Sequence, residues 1–359
     1  MHLTYDMRIG GTEMVIKNLI EGSDPAVFDM SIFCVEEPLG PWGIDLQKSG
    51  IQISSKARQP GFDTSLISAI RQHIKHNKID IIHCHQYTPW IYGVLAAFGT
   101  KTKVIFTEHG RFYPDFSSWK RKIINPWLCK ITHHITALVE YENIPESRIE
   151  VIYNGISPLT VNSADVENIK NELGIGKEKF VFGTVARLDP IKNHQMMLNA
   201  FKLVKNQHND TLLVIIGDGE EKQHIMASIE SLNLQTDVLL TGYKTNPTAY
   251  LAMFDAFLLS SLSEGTSMTL LESMSLSKPC VVTDAGGNKE IIINNENGFV
   301  TVNNDAQAFA GSMLKLLTNQ TLREKMSAQS LIRFQQLFSD NIMNKHFSNI
   351  YLGQVNAKR

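Results

Sequence analysis

Two glutamates, Glu264 and Glu272, are separated by seven residues in the run EGTSMTLLE. A strand is expected to end near Ser260, and Glu264, Gly265 and Thr266 then form a polar loop. A helix begins near residues 267–269 and carries Glu272 in its early turns. A helix start offers backbone N–H groups without partners and the positive end of a dipole equivalent to about half a charge. That makes it a phosphate site. Carboxylates on either side of it could accept hydrogen bonds from sugar hydroxyls. Alone, Glu264 reads as a solvent-facing loop residue and Glu272 as a support for the first helical turns. Only the segment as a whole points to phosphate and hydroxyl binding.

Other polar groups also fall just after apolar runs. Arg187 and Lys192 lie in ARLDPIKN, where they read equally as solvated loop cations. VIIGDGEE is a strand followed by glycines, but it lacks the third glycine of a dinucleotide fingerprint. His83 and His85 alternate in HCH at another strand end, with one expected in the core and one in the cleft. No further His or Cys cluster has ligand spacing, so no metal site is expected.

The elements that would carry these residues alternate. Short β-branched apolar runs are expected as strands at 27–35, 51–54, 79–83, 103–107, 135–139 and 151–153, with helices between several of them, including 64–76 and 88–98. The pattern restarts with strands at 180–185, 212–216, 238–241, 256–259 and 280–283. Helices follow at 194–205, 222–232, 248–253 and 268–275. Continuous apolar strands with intervening helices indicate parallel sheets covered on both faces. The fold class expected is α/β, with two doubly wound Rossmann-like domains facing across a cleft. Domain bounds are expected at 1–158, 159–335 and 336–359, with 155–164 as linker and the last helix returning to the first domain. Ligands of such sheets bind beyond the C-terminal strand ends.

The segment from Ser260 to Glu290 resembles the signature of family 4 glycosyltransferases, retaining enzymes of the GT-B fold. It matches at Glu264, Gly265, Leu271, Glu272, Pro279, Val281, Val282, Gly286, Gly287 and Glu290, with Ser277 in place of the usual glycine after the helix. The resemblance implies a nucleotide-sugar donor and a glycan or lipid-linked glycan acceptor in bacterial surface-glycan biosynthesis. By it, Glu264 and His109 position the donor sugar and act as the catalytic pair. Arg187, Lys192, Gly11 and the helix start at Thr269 and Leu270 hold the diphosphate, whose leaving charge fixed cations stabilise. Glu272 binds the ribose, Gly242 and Tyr243 border the nucleobase, and Gly10 and His85 lie toward the acceptor. Asn154–Gly155 matches the pair that closes the first domain. The chain has no Asp-x-Asp pair, which metal-dependent transferases of another fold use to hold a cation on the diphosphate. Activity without metal or other cofactor is therefore expected. The alternative class is a catalytically silent binding or assembly subunit on the same fold.

The bulk composition agrees with a globular protein. Of 359 residues, 43% are apolar and 19% charged, with a net charge of −2, so nothing draws the chain to nucleic acid. Four scattered cysteines read as buried free thiols of a reducing compartment. MHLTYDMRIGG has no basic region leading into a long apolar core, so no secretory signal is expected and the location expected is cytoplasmic. Residues 116–130, FSSWKRKIINPWLCK, contain no acid. They read either as a helix with its tryptophans in the core or as a patch resting on the inner face of an anionic membrane. Only His2, Leu3 and Thr4 precede the glycine loop, whereas a strand usually takes about five or six residues. The first strand is therefore expected to be incomplete, through a late start.

Overall fold

The computed structural model describes residues 1–109, 119–137, 147 and 149–356; side chains are described for these except 119–122 and 137. The chain divides into two compact units, one of residues 1–155 with 340–359, the other of 156–339.

The first unit runs β1 (His2–Thr4), α1 (Gly11–Glu21), β2 (Ser31–Cys34), α2 (Pro41–Lys48), β3 (Gln52–Ser55), α3 (Thr64–His76), β4 (Ile81–His85), α4 (Tyr87–Ala97), β5 (Lys103–Glu108), α5 (Trp119–Ile131), β6 (His134–Ala137) and β7 (Ile149–Glu150). Its sheet is parallel, in the order β3-β2-β1-β4-β5-β6-β7. The strand order reverses between β1 and β4, the switch point where such sheets bind ligands.

β1 is the central strand even though it has only three residues. His2 pairs with Ile32 on one side and His83 on the other, and all three residues are buried. This double pairing satisfies the short segment's backbone from both flanks. The strand expected at 151–153 lies just before that range, at Ile149–Glu150. Residues 27 and 28 turn back onto Asp24 instead of extending β2. The core gathers Leu3, Ile82, Cys84, Trp90, Val104 and Phe106, with Trp90 stacked on Phe106 at 4.1 Å. All four cysteines are buried.

The second unit runs α6 (Ser163–Glu172), β8 (Phe180–Val185), a 3₁₀ turn (Pro190–Lys192), α7 (His194–Lys205), β9 (Thr211–Ile216), α8 (Lys222–Ser231), β10 (Val238–Leu240), α9 (Thr248–Met253), β11 (Ala256–Leu259), α10 (Met268–Ser275), β12 (Cys280–Thr283), α11 (Asn288–Ile291), β13 (Gly298–Thr301), α12 (Ala306–Thr318) and α13 (Gln320–Arg333). Its sheet is also parallel, in the order β10-β9-β8-β11-β12-β13, and reverses between β8 and β11. β13, absent from the sequence expectations, is a four-residue edge strand held in register on β12. The final helix α14 (Asp340–Asn356) belongs to the first unit. There Asn344 donates to Asn18 O on α1, and Phe347 packs on His83.

Candidate functional site

In the second unit the switch point gathers three loops. The 3₁₀ turn after β8 presents Lys192, and Asp189 caps the turn by accepting from Lys192 N. Ser260, at the end of β11, donates to Lys192 O at 2.8 Å and Asn193 O at 3.1 Å. Leu262 N donates to Ile191 O. The turn is thus fastened to the neighbouring strand, and Lys192 Nζ donates to Glu264 Oε1 at 2.6 Å. Ser261 Oγ donates to the same oxygen at 2.5 Å. Both charged side chains are largely covered, at 18% and 8% exposed, so their attraction is less screened than that of a surface pair. Arg187 differs. Its side chain is 80% exposed and leans on Asp189 at 2.9 Å.

The Gly286–Gly287 pair is required by the Glu264 loop. Gly286 has φ +51, and a Cβ there would lie 1.9 Å from Glu264 O; one on Gly287 would lie 2.5 Å from Gly265 O. Only glycine permits that approach of two backbones. Helix α10 starts beside this loop with no side-chain cap on its N-terminus. Leu270 N already donates to Ser267 O at 3.1 Å, and the Leu270 side chain is core. The unclaimed amides of the first turn are therefore those of Met268 and Thr269. Glu272, one turn further, has an oxygen out of solvent with no hydrogen-bond partner. Burial raises its carboxyl to about 7. At Ser277 the chain adopts φ +58, so the left-handed turn after the helix forms without glycine. Gly242 has φ +74 and its carbonyl accepts from Gly217 N, while Tyr243 is exposed.

In the first unit, Gly10 and Gly11 open α1, which also has no side-chain cap. Gln86 follows β4 at φ +72 and donates to Thr12 Oγ1, tying the β4 end to this glycine loop. His85 and His109 are buried and share a hydrogen bond, Nδ1 to Nε2, of 2.8 Å. Burial draws His109 down to about 4, with the adjacent Asn154 side chain opposing, so its ring is neutral near pH 7. His109 Nδ1 has no hydrogen-bond partner among the described residues.

His83 and His85 are both buried, with ring centroids 4.1 Å apart. The expected split between core and cleft is corrected: residues two apart on a strand point to the same face. His2 joins them from β1, so one ring nitrogen from each of the three lies within 4.8 Å of the others. The sequence spacing did not reveal this cluster. A cation does not fit it as it stands. His2 Nδ1 and His85 Nε2 are 2.9 Å apart, shorter than the roughly 3.3 Å edge of a tetrahedron with metal–nitrogen bonds of about 2.0 Å. His83 already shares its two nitrogens with Tyr351 OH and Thr107 Oγ1, each at 2.7 Å.

The second unit thus brings together Lys192, Glu264 and the start of α10, with Arg187 and Glu272 nearby in the chain path; the first brings together Gly10, Gly11, His85 and His109. Sequence reasoning missed His2, Gln86, Ser260 and Ser261. A serine pair ending an apolar run was the one available signal for the last two. Of the expected membrane patch, residues 116–118 lie outside the described residues, as do the side chains of Trp119, Lys120, Arg121 and Lys122. Within α5, Ile123, Ile124 and Trp127 are exposed, and Trp127 touches the exposed Phe98. Trp127 is therefore not in the core. Among the described residues no helix is long and apolar enough to cross a membrane.

Two successive doubly wound parallel units, the second with a cation–carboxylate pair beside a free helix start, define the GT-B architecture. The particular family follows from comparison. Residues 165–331 match the profile "Glycosyl transferases group 1" and residues 9–158 match "Glycosyltransferase Family 4", and the chain belongs to these glycosyltransferases. It is 27% identical over 318 residues, 82% of this chain and 81% of the other, to UDP-Gal:alpha-D-GlcNAc-diphosphoundecaprenol alpha-1,3-galactosyltransferase of Escherichia coli. It is 30% identical over 244 residues, 63% of this chain and 64% of the other, to N-acetylgalactosamine-N,N'-diacetylbacillosaminyl-diphospho-undecaprenol 4-alpha-N-acetylgalactosaminyltransferase of Campylobacter jejuni. Its fold matches that of Anabaena Alr3699/HepE in complex with UDP, at a TM-score of 0.88 and 18% identity over 98% of this chain and 99% of that one.

Proposed function

We infer that this chain transfers a sugar, with retention of anomeric configuration, from a nucleoside diphosphate sugar to a hydroxyl of a lipid-linked glycan in bacterial surface-glycan biosynthesis. The observation that carries the reading is the buried Lys192–Glu264 pair placed beside the open start of α10. Lys192 and the Met268 and Thr269 amides receive the diphosphate, and Arg187 swings from Asp189 onto it. Glu272 takes the ribose hydroxyls and Gly242–Tyr243 borders the base. Glu264 and His109 hold hydroxyls of the transferred sugar, with Gly11 near the phosphate and Gly10 and His85 toward the acceptor.

The acceptor oxygen attacks the anomeric carbon from the face that the diphosphate leaves. The bond from that carbon to the phosphate oxygen breaks, and the departing phosphate takes the acceptor proton. Charge on the leaving group is stabilised by Lys192, Arg187 and the helix start, so the step proceeds without a divalent cation. A UDP donor is favoured because the fold neighbour binds UDP. Acceptors carried on undecaprenyl diphosphate appear in the names of both relatives. The exposed Phe98, Ile123, Ile124 and Trp127 then rest on the anionic inner face of the membrane that holds such an acceptor.

The test is a thermal-shift panel of nucleoside diphosphates, followed by turnover of the stabilising donor with a polyprenyl-diphosphate glycan in EDTA. Stabilisation by one nucleotide class and product of retained configuration are expected. No shift with any nucleotide would mean a silent subunit, inverted product would sink the retaining mechanism, and loss of turnover in EDTA would sink metal independence.

A further inference from the structure

Three histidines, His2 on β1, His85 at the end of β4 and His109 just past β5, form one hydrogen-bonded line. His2 Nδ1 meets His85 Nε2 at 2.9 Å, and His85 Nδ1 meets His109 Nε2 at 2.8 Å. At both joints the ring planes are nearly parallel, 29° and 16° apart, with centroids 5.2 Å and 5.1 Å apart, so the rings meet edge to edge. All three rings are buried. Burial, then the neighbouring imidazoles, holds His2 and His85 well below the usual histidine range, and burial lowers His109. Each ring is therefore neutral near pH 7, with one N–H and one lone pair.

Neutral rings in a line cannot choose their tautomers independently. If His109 Nδ1 carries the proton, Nε2 must accept from His85 Nδ1–H. His85 Nε2 must then accept from His2 Nδ1–H. If His109 Nδ1 is the lone pair, every joint reverses. Any mixed state faces two N–H groups, or two lone pairs, across less than 3 Å in a buried site, and forfeits a hydrogen bond. At the His109 end, Nδ1 has no close hydrogen-bond partner among the described residues, and the Asn154 side chain lies beside the ring as a hydrogen-bonding group. The other end, His2, lines a cavity of about 320 Å³ with Asp29, Asp80 and Tyr351. His83 stays outside the line, because both its nitrogens are taken by Tyr351 and Thr107.

The geometry points to a positioning role for His85 and His2: they fix whether His109 Nδ1 is a donor or an acceptor toward the donor sugar that the transfer reading places beside it. The catalytic consequence rests on the transfer reading above; the tautomer coupling itself does not. His85 is thereby a positioning residue acting through His109, in addition to its proposed place toward the acceptor.

The test uses the full chain with ¹⁵N-labelled histidine and long-range ¹H–¹⁵N spectra near neutral pH. In the native protein, His109 should show one protonated and one unprotonated ring nitrogen. His85→Phe should collapse that separation as both tautomers become populated, and His2→Phe should reduce it from one ring further away. Averaged His109 signals in the native protein overturn the proposal. So do His109 signals unchanged in either folded variant. If His85→Phe does not fold, the native spectrum and His2→Phe decide. For turnover, His2→Phe should lower kcat about tenfold with KM for the donor nearly constant. Inactive native protein with intact tautomer coupling would refute the transfer reading alone.

Discussion

Lys192 Nζ and Glu264 Oε1 lie 2.6 Å apart although 72 residues separate them in sequence. The contact exists because Ser260 bonds the carbonyls of Lys192 and Asn193, and because Gly286 lets the Glu264 backbone settle against it. The lysine is held covered beside the loop that leads into α10, where the transfer reading places the leaving diphosphate.

Lys192→Ala should therefore lower kcat by about 10²–10³-fold, with donor binding weakened less. Glu264→Gln should keep the Ser261 bond, lose the ion pair and reduce turnover as well. Steady-state kinetics on folded variants check both; a Lys192→Ala enzyme within a few-fold of native would sink the assignment.

Gly286→Ala should destabilise the second unit by about 2 kcal/mol or more, since the added carbon meets Glu264 O at a left-handed φ. Chemical denaturation measures it. A neutral result would mean that the two backbones do not approach as closely as described.

Ser277→Gly should act in the opposite direction. Ser277 sits at φ +58, where a side chain costs about 1 kcal/mol relative to glycine. A gain of several tenths of a kcal/mol or more in unfolding free energy is expected, with turnover unchanged.

Glu272 gives the unliganded protein a pH dependence. Its carboxyl is raised by burial from the usual 4.5 to about 7, so the folded state binds the proton more tightly than the unfolded chain. Its favourable contribution is full below 4.5 and is lost as pH rises through about 7. Glu272→Gln should flatten the fall of Tm across that window. Parallel native and variant Tm profiles would contradict the assignment.

The α5 surface can be tested with vesicles. Trp127→Ser combined with Ile123→Ser should reduce flotation with anionic liposomes severalfold and leave nucleotide binding intact. Equal flotation of the two proteins would rule out this face as the contact.

Much of the second unit was legible in the chain. The strands at Phe180–Val185, Ala256–Leu259 and Cys280–Thr283 and the helices α7, α9 and α10 coincide with their expected bounds. Several of these elements end on local signals: Pro247 before α9, Ser260 after β11, Ser267 before α10 and Pro279 before β12. β1 and β13 were harder, because strands of three and four residues persist only through neighbours supplied from elsewhere.

By itself the sequence determined the parallel α/β class, the restart of the pattern and the polar loop leading into a helix start at 264–272, because burial period and helix starts are properties of consecutive residues. Tertiary structure decided the rest. It placed three-residue β1 at the centre of its sheet, put both His83 and His85 in the core, and aligned His2 with His85 and His109 from the ends of two other strands. Those outcomes depend on which strands become neighbours and in what register, and hydrogen bonds across a sheet leave no period in the sequence of either partner.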